Sequence, residues 1–298
     1  MTGKKTDLAL EERERFPEDN VEISGVELKK QKELAGNALV TKVIIKDERG
    51  SRVMKKDIGS YLTVESSFFL MDKKRRRQVY DIVCRNFKDI LSGYSLDSVL
   101  VVGLGNREVT SDSLGPLVAE RILATRHLCR EYGEETAKKN HWGCISAIAP
   151  GVMGQTGMEA YEVLKGLIEQ ISPTLIIAVD ALASRSVKRL CTTIQFSDTG
   201  IAPGAGVGNH RMALNKKELG IPVIAVGVPT VVDASTIIGD HLEKVLFQQG
   251  LSQEEIESFF EQILIKEAGD VIVTPKNIDE SISIWSKCIA KVLNNCLV

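Results

Sequence analysis

Unbroken apolar runs of strand length alternate with segments of helical periodicity along most of the chain. The runs at 99–102, 174–179 and 223–228 predict strands buried on both faces, because they carry no regular polar position. Further strands are predicted at 144–149 and 191–196. Helices are predicted at 72–91, 114–126, 158–171, 234–249, 252–267 and 277–295. Alternating strands and helices imply an α/β fold with a mostly parallel central sheet and helices on both faces.

The N-terminal part of the chain has a different pattern. Short strands are predicted at 39–46, 51–54 and 61–64, with a turn at 47–50. They indicate a small antiparallel β element within 21–70. Residues 1–20 are charged and lack periodicity, which is typical of a frayed terminus. We therefore expect an N-terminal tail and pro-segment over 1–20 and a single α/β domain over 21–298.

Charge, cysteine spacing and hydropathy indicate which partners and which compartment to expect. The formal net charge is −2, so no general attraction to nucleic acid or to an anionic membrane is expected. The six cysteines are scattered without a C-x-x-C pair, which favours buried thiols in a reducing compartment. The chain starts without a signal-peptide pattern, and no apolar run is long enough to span a bilayer. These features predict a soluble cytoplasmic protein.

The stretch from Val99 to Pro116 predicts a strand, a loop and a helix, in that order. In open α/β sheets, such a loop lies at the carboxyl edge, where ligands bind. Gly103 and Gly105 would let the backbone turn sharply there. They also match the first two glycines of a dinucleotide fingerprint, but Glu108 occupies the place of the third. Nucleotide binding is therefore disfavoured, and the loop places Asp112 at the edge instead.

Asp112 and Asp180 are the sharpest candidate pair. Asp180 directly follows a second apolar strand, so both carboxyl groups should lie at one edge of the sheet. Two carboxylates brought together share a proton, and one then activates water while the other acts as an acid. This chemistry hydrolyses an amide without a metal. Two alternatives stay open: each aspartate caps the following helix, or the pair holds a divalent metal with Glu108 or His210.

Other candidate motifs are weaker. Asp198-Thr199-Gly200 matches the short signature of pepsin-like and retroviral proteases, but those proteins are all-β and use two copies. The glycine-rich loop that begins at Asp198 offers backbone N–H groups for substrate contacts. The pattern G-x-S-x-G is absent, which disfavours a serine hydrolase of that type. The basic run 73–77 is interpreted as a solvated helix face.

Several longer stretches together resemble the germination proteases of spore-forming bacteria, and the resemblance covers nearly the whole chain. They are Thr6-Asp7-Leu8-Ala9, Gly103-Leu104-Gly105-Asn106, and the segments 112–116, 149–157, 180–183, 198–201, 203–209, 220–222, 227–234 and 273–279. The resemblance implies an endopeptidase that initiates degradation of small acid-soluble spore proteins during germination. It also implies a self-processing zymogen, a homotetramer, a location in the forespore or spore core, and no cofactor. The fold would be distantly similar to that of hydrogenase maturation endopeptidases.

The resemblance also assigns roles to residues. The two catalytic aspartates of the family correspond to Asp112 and Asp180. Two positions depart from the family pattern: Ser111 stands where proline is expected, and His210 where a basic residue is expected. Support of the substrate and of the oxyanion is expected from Gly105, Asn106, Arg185, Asp198 and Arg211.

The family cuts after an acidic residue and before an apolar one. Thr6-Asp7-Leu8-Ala9 has this pattern, so we predict self-cleavage between Asp7 and Leu8. A substrate acid needs a cation in its pocket, and Arg185 and Arg211 are the candidates. Two alternatives remain: a metal-dependent maturation endopeptidase, and a protein-binding module without catalytic activity.

Overall fold

The computed structural model describes residues 6–16, 23–133, 139, 143–204, 211–250, 255 and 271–298. The strands are β1 Val26–Glu33, β2 Ala38–Ile45, β3 Gly59–Glu65, β4 Ser98–Gly103, β5 Cys144–Ile148, β6 Leu175–Ser184, β7 Thr193–Ser197, β8 Val223–Asp233 and β9 Ile272–Val273. The helices are α1 Ala9–Arg13, α2 Glu48–Met54, α3 Lys73–Leu91, α4 Leu114–Ala119, α5 Arg126–Tyr132, α6 Met153–Thr156, α7 Ala160–Ile171, α8 Lys216–Leu219, α9 Ala234–Gln248 and α10 Ile278–Leu297. Short 3-10 helices span Ser67–Leu70, Thr110–Asp112 and Val187–Arg189.

One sheet runs through the described part of the chain, in the order β1-β2-β3-β7-β8-β6-β4-β5, with β9 beside the end of β8. Strands β8, β6, β4 and β5 are mutually parallel, and we call them the parallel half. Strands β1, β2, β3 and β7 pair antiparallel, and we call them the antiparallel half. The predicted α/β class with a parallel centre is confirmed. The N-terminal β element is present but continues the main sheet, because β3 pairs with β7.

The sheet is covered on both faces because its central strands are apolar on both sides. In β4, Val99 and Val101 face a core formed with α3, α4 and α10, in which Trp285 is fully buried. Leu100 and Val102 face the opposite core, which α7 covers. Unbroken apolar runs therefore correspond to doubly covered strands, as the sequence pattern predicts.

Two predicted elements are wrong. The segment 51–54, predicted as a strand, belongs to helix α2, because the Asp47 side chain accepts the N–H groups of Arg49 and Gly50 and caps a helix there. The helix predicted at 114–126 ends at Ala119. Beyond it, the Leu123 N–H bonds to the Asn294 side chain and the Thr125 N–H bonds to the Ile145 carbonyl. These acceptors take the place of the carbonyl groups that a continued helix would have offered.

The helix predicted at 252–267 lies almost wholly outside the described residues.

The N-terminal segment is packed over 6–13, contrary to the expectation of a frayed end. Leu8, Ala9 and Leu10 are at most 2% exposed. Ala9 packs into a small core with residues of β2, β3 and α2, including Val43 and Met54. The short apolar island inside a charged stretch is therefore a docking element.

Two further predictions from composition bear on the fold. The six cysteines are free thiols, and Cys191 lies just before β7 with a left-handed backbone, not inside the strand as predicted. Among the helices that the structure describes, none has both the length and the hydropathy of a membrane span.

Candidate active site

Asp112 is held by the loop that follows β4. Its Oδ2 accepts the Asn106 N–H at 2.7 Å, which closes the loop on itself. Gly105 has a left-handed φ of 109°, and a Cβ atom there would lie 2.1 Å from the Asp112 carbonyl oxygen. Only glycine permits this approach. Gly105 therefore lets the loop fold back on itself and hold the Asp112 carboxylate in place.

Asp180 lies inside β6, which continues past the end of β4. The Leu104 N–H still bonds to the Val179 carbonyl at 2.8 Å, and β6 then runs on to Ser184. The prediction that Asp180 directly follows a strand is therefore wrong, and so is the alternative that it caps a helix. The helix-cap interpretation of Asp112 also fails, since its carboxylate bonds back to Asn106 and Ser113 occupies the N-cap of α4.

The two aspartates meet because α4 crosses the sheet very closely. A Cβ atom on Gly115 would lie 2.2 Å from the Leu104 carbonyl oxygen and 2.4 Å from the Val179 carbonyl oxygen. The Thr230 hydroxyl in β8 donates to the Ser111 carbonyl at 2.7 Å and fixes the loop from the other side. These contacts set the Asp112 loop beside the part of β6 that extends past β4.

The electrostatics separate the two carboxyl groups. Burial first, and then the nearby charges of Asp112 and Asp7, raise the pKa of Asp180 well above its usual value. Burial also raises the pKa of Asp112, but the Asn106 N–H and the positive charge of Arg211 oppose this shift. The environment of Asp180 therefore favours its protonated form, and the environment of Asp112 opposes the ionised form less strongly. A pair with unequal environments is suited to general acid and base roles.

Both carboxyl groups line a cavity of about 230 Å³, which we call the aspartate cavity. Arg211 lines it as well, and its charge is felt by both aspartates. Glycines from three loops border it: Gly105 after β4, Gly151 after β5 and Gly204 after β7. Loops that follow three different strands therefore contribute to the same cavity.

Asp7 from the N-terminal segment also lines the aspartate cavity. It pairs with β6, since its N–H bonds to the Ala183 carbonyl at 2.9 Å and its Oδ2 accepts the Ala183 N–H at 2.8 Å. Further along, the Glu11 carboxylate accepts the N–H of Ser186 at 3.0 Å and an Arg189 N–H at 3.1 Å. The segment that carries the predicted cleavage sequence is thus docked beside the aspartate pair.

The remaining predicted site residues are distributed differently. The N–H of Asn106 is bound to Asp112, and its Oδ1 accepts the Gln155 amide at 3.0 Å, so Asn106 positions the Asp112 carboxylate. The Arg185 N–H binds the Glu11 carboxylate. Asp198 accepts the Ser60 N–H at 2.7 Å and borders a separate cavity, so it joins β3 to β7. Sequence reasoning missed Glu11 and Arg189, because no local pattern signals a contact between such distant segments.

The alternative of a metal site finds no grouped ligands in the part of the chain that the structure describes. In the described ranges, no three His, Cys, Asp or Glu side chains are grouped so as to hold a metal ion. Glu108 is exposed, and His210 lies outside the described residues.

The chain is similar to known proteases over nearly all of its length. A family profile described as germination protease matches residues 4–266. The germination protease of Clostridium tetani is 40% identical over 310 residues, which cover 98% of this chain and 95% of the relative. That of Bacillus cereus is 44% identical over 257 residues, covering 84% and 69%. Among solved structures, the [NiFe] hydrogenase maturation protease HycI from Thermococcus kodakarensis matches 70% of this chain and 99% of its own, with 17% identity and a TM-score of 0.37.

Proposed function

Because the chain belongs to the germination protease family and is a protease, we propose that it is an endopeptidase whose catalytic groups are Asp112 and Asp180. The observation that carries this proposal is the placement of two aspartates in one cavity with Asp7, Asp180 buried and Asp112 half-buried, so that their environments are unequal. Asp7 precedes Leu8 in a sequence with the acid-then-apolar pattern of a cleavage site. The proposed catalytic pair and a sequence of the kind that it would cut therefore lie next to each other in the same chain.

In the proposed reaction, Asp180 starts protonated and Asp112 starts ionised. The Asp112 carboxylate takes a proton from water, and the water oxygen bonds to the carbonyl carbon before the scissile bond. The carbonyl oxygen becomes an oxyanion in the tetrahedral intermediate. The Asp180 carboxyl then gives its proton to the leaving nitrogen, and the C–N bond breaks as the carbonyl re-forms. The extra proton on Asp112 passes to Asp180, which restores the starting state.

The substrates are small acid-soluble spore proteins, cut between an acidic and an apolar residue in the spore core. The protein is a zymogen that cuts itself between Asp7 and Leu8, and it assembles as a homotetramer. Arg211 supports the choice of an acid before the cut, because its charge faces the same cavity. Arg185 is the second candidate for this role.

The first test is self-cleavage of the purified chain at mildly acidic pH. We expect mass spectrometry and N-terminal sequencing to find a new end at Leu8 in the wild type. Asp112→Asn and Asp180→Asn should stay uncut, while the exposed control Asp81→Asn should process normally. A new end elsewhere contradicts the cleavage site, and processing by both aspartate variants contradicts the catalytic pair.

Two other functions are outcomes of the same test. A chelator should leave the rate unchanged, and loss of activity restored by a divalent metal would favour a metal-dependent peptidase. Purified spore DNA-coat protein should be cut by the processed wild type. Binding of that protein without cleavage, unchanged in the double aspartate variant, would favour a binding module.

A further inference from the structure

We propose that Lys56 and Gln195 bind the carbonyl oxygen of the residue before the scissile bond and stabilise the oxyanion that forms on it. This inference rests on the proposed function and deepens it. It assigns the electrostatic part of the reaction to residues that lie outside the aspartate cavity and outside every motif that suggested the function.

The first observation is the set of donors on Asp7. Its carbonyl oxygen accepts a hydrogen bond from Lys56 Nζ at 3.1 Å and another from Gln195 Nε2 at 3.2 Å. An ammonium group and a side-chain amide are both donors that stabilise negative oxygen, and their effect is large where water is excluded. Gln195 is 7% exposed and Lys56 is half-buried. The carbonyl that the proposed reaction converts into an oxyanion is thus already held by two donors.

The second observation is that Gln195 contacts the chain on both sides of the same peptide bond. Its Nε2 donates to the Asp7 carbonyl, and its Oε1 accepts the Ala9 N–H at 2.9 Å. The Asp7–Leu8 bond lies between these two contacts. One side chain in the middle of a strand therefore fixes the register of the segment, so that this bond and not a neighbouring one is presented.

The third observation is that the donors and the aspartates approach Asp7 from different cavities. Lys56 and Gln195 line a cavity of about 390 Å³, which we call the lysine cavity, and Asp7 lines this cavity as well. The aspartate cavity holds Asp112 and Asp180. Acid and base therefore act from one side of Asp7, and the donors to its carbonyl oxygen come from the other.

The sheet register explains why this arrangement is fixed. In β8, Gly227 pairs with Gln195 of β7 on one side and with Asp180 of β6 on the other. Paired residues of neighbouring strands point to the same face, and neighbouring strands lie about 4.8 Å apart. Gln195 and Asp180 thus face the docked segment from two strands away, with only a glycine between them. No loop movement is required to bring the two functions together.

The test separates oxyanion stabilisation from simple anchoring of the segment. Processed enzyme is given a synthetic peptide containing Thr-Asp-Leu-Ala, so that cleavage no longer depends on the enzyme's own N-terminus. Lys56→Met should lower kcat by about 10²–10³-fold, the loss typical of one oxyanion donor, with a smaller change in KM. Lys56→Arg should recover part of kcat. The control Lys32→Met, on exposed β1, should behave as wild type.

A second measurement keeps the inference testable when cleavage fails. In Asp112→Asn, with the aspartate carbonyls labelled with ¹³C, the Asp7 resonance should move upfield on adding Lys56→Met, because a donor to that oxygen is lost. An unchanged resonance, or an unchanged kcat on the peptide, overturns the inference. Absence of wild-type cleavage overturns the proposed function instead, and the resonance still decides whether the donors bind.

Discussion

The two halves of the sheet contribute different things to the site. The parallel half supplies the aspartates, through a loop after β4 and through the part of β6 that extends past β4. The antiparallel half supplies Gln195 from the middle of β7, and Lys56 comes from the segment leading into β3. Strand β8 belongs to the parallel half but pairs with both. The proposed acid and base therefore lie toward the carboxyl edge of parallel strands. The proposed donor Gln195, in contrast, occupies an interior position of an antiparallel strand, where no sequence motif marks it.

The largest effect is expected in the parallel half. Asp180→Asn removes the proposed proton donor but keeps the side-chain shape and one hydrogen-bonding oxygen, so the fold should persist while the cleavage rate falls by about 10²–10⁴-fold. The cleavage rate of Asp112→Asn should fall as far, because this variant lacks the proposed base. Peptide cleavage measured beside circular dichroism checks both. Activity within threefold of wild type in either variant would show that the pair is not the acid and base.

An ion-pair cluster at Arg189, which joins the N-terminal segment to β3 of the antiparallel half, should affect stability where the aspartates affect rate. The Arg189 guanidinium bonds to three carboxylates, those of Glu11, Glu14 and Glu65, and is 13% exposed. Arg189→Met would leave Glu11, at 2% exposed, without its cation, and breaking a buried pair costs about 3–5 kcal/mol. We expect the N-terminal segment to detach, seen as faster proteolysis near residue 13 and lower stability in urea.

An exposed ion pair provides a matched control for the stability loss expected at Arg189. Arg85 pairs with Glu33 on the same half of the sheet but is 58% exposed. Arg85→Met should cost at most about 1 kcal/mol. Equal losses in the two variants would mean that the Arg189 cluster does not hold the segment.

Stability should depend on pH through the parallel half. For Asp112 and Asp180 the folded-state pKa is raised above the unfolded value, chiefly by burial. Folding therefore takes up protons between the unfolded and folded values, so stability is highest below the unfolded pKa and falls as pH rises through the folded one. The double Asp→Asn variant should lose this slope and gain stability at neutral pH. Thermal unfolding from pH 3 to 8 measures both, and parallel curves for the two proteins would contradict the shifts.

The sequence pattern singles out the aspartates of the parallel half but not Gln195 or Lys56, for a physical reason. Doubly buried strands carry continuous apolar runs, and a carboxylate beside such a run is costly to bury, so Asp112 and Asp180 stand out. Gln195 and Lys56 are common residues, and their importance arises from pairing with Asp7, almost 190 positions away in the case of Gln195. The pairing of two segments that are far apart in the chain cannot be predicted from the residues near either one. The resemblance to a known family supplied the cleavage sequence but no partner for its carbonyl.

The smallest effect concerns α2, where the local pattern was misleading. Asp47 accepts two N–H groups at 3.0 Å and starts a helix in a segment that favours a turn and a strand. Asp47→Ala should cost about 1 kcal/mol in urea unfolding, the typical value of a lost N-cap, and Asp47→Ser should recover most of it. Self-cleavage should stay within twofold of wild type, although Lys56 follows α2 by only two positions. A large loss of cleavage with little loss of stability would show that α2 positions the lysine, and the antiparallel half would then depend on a helix cap as closely as the parallel half depends on its glycines.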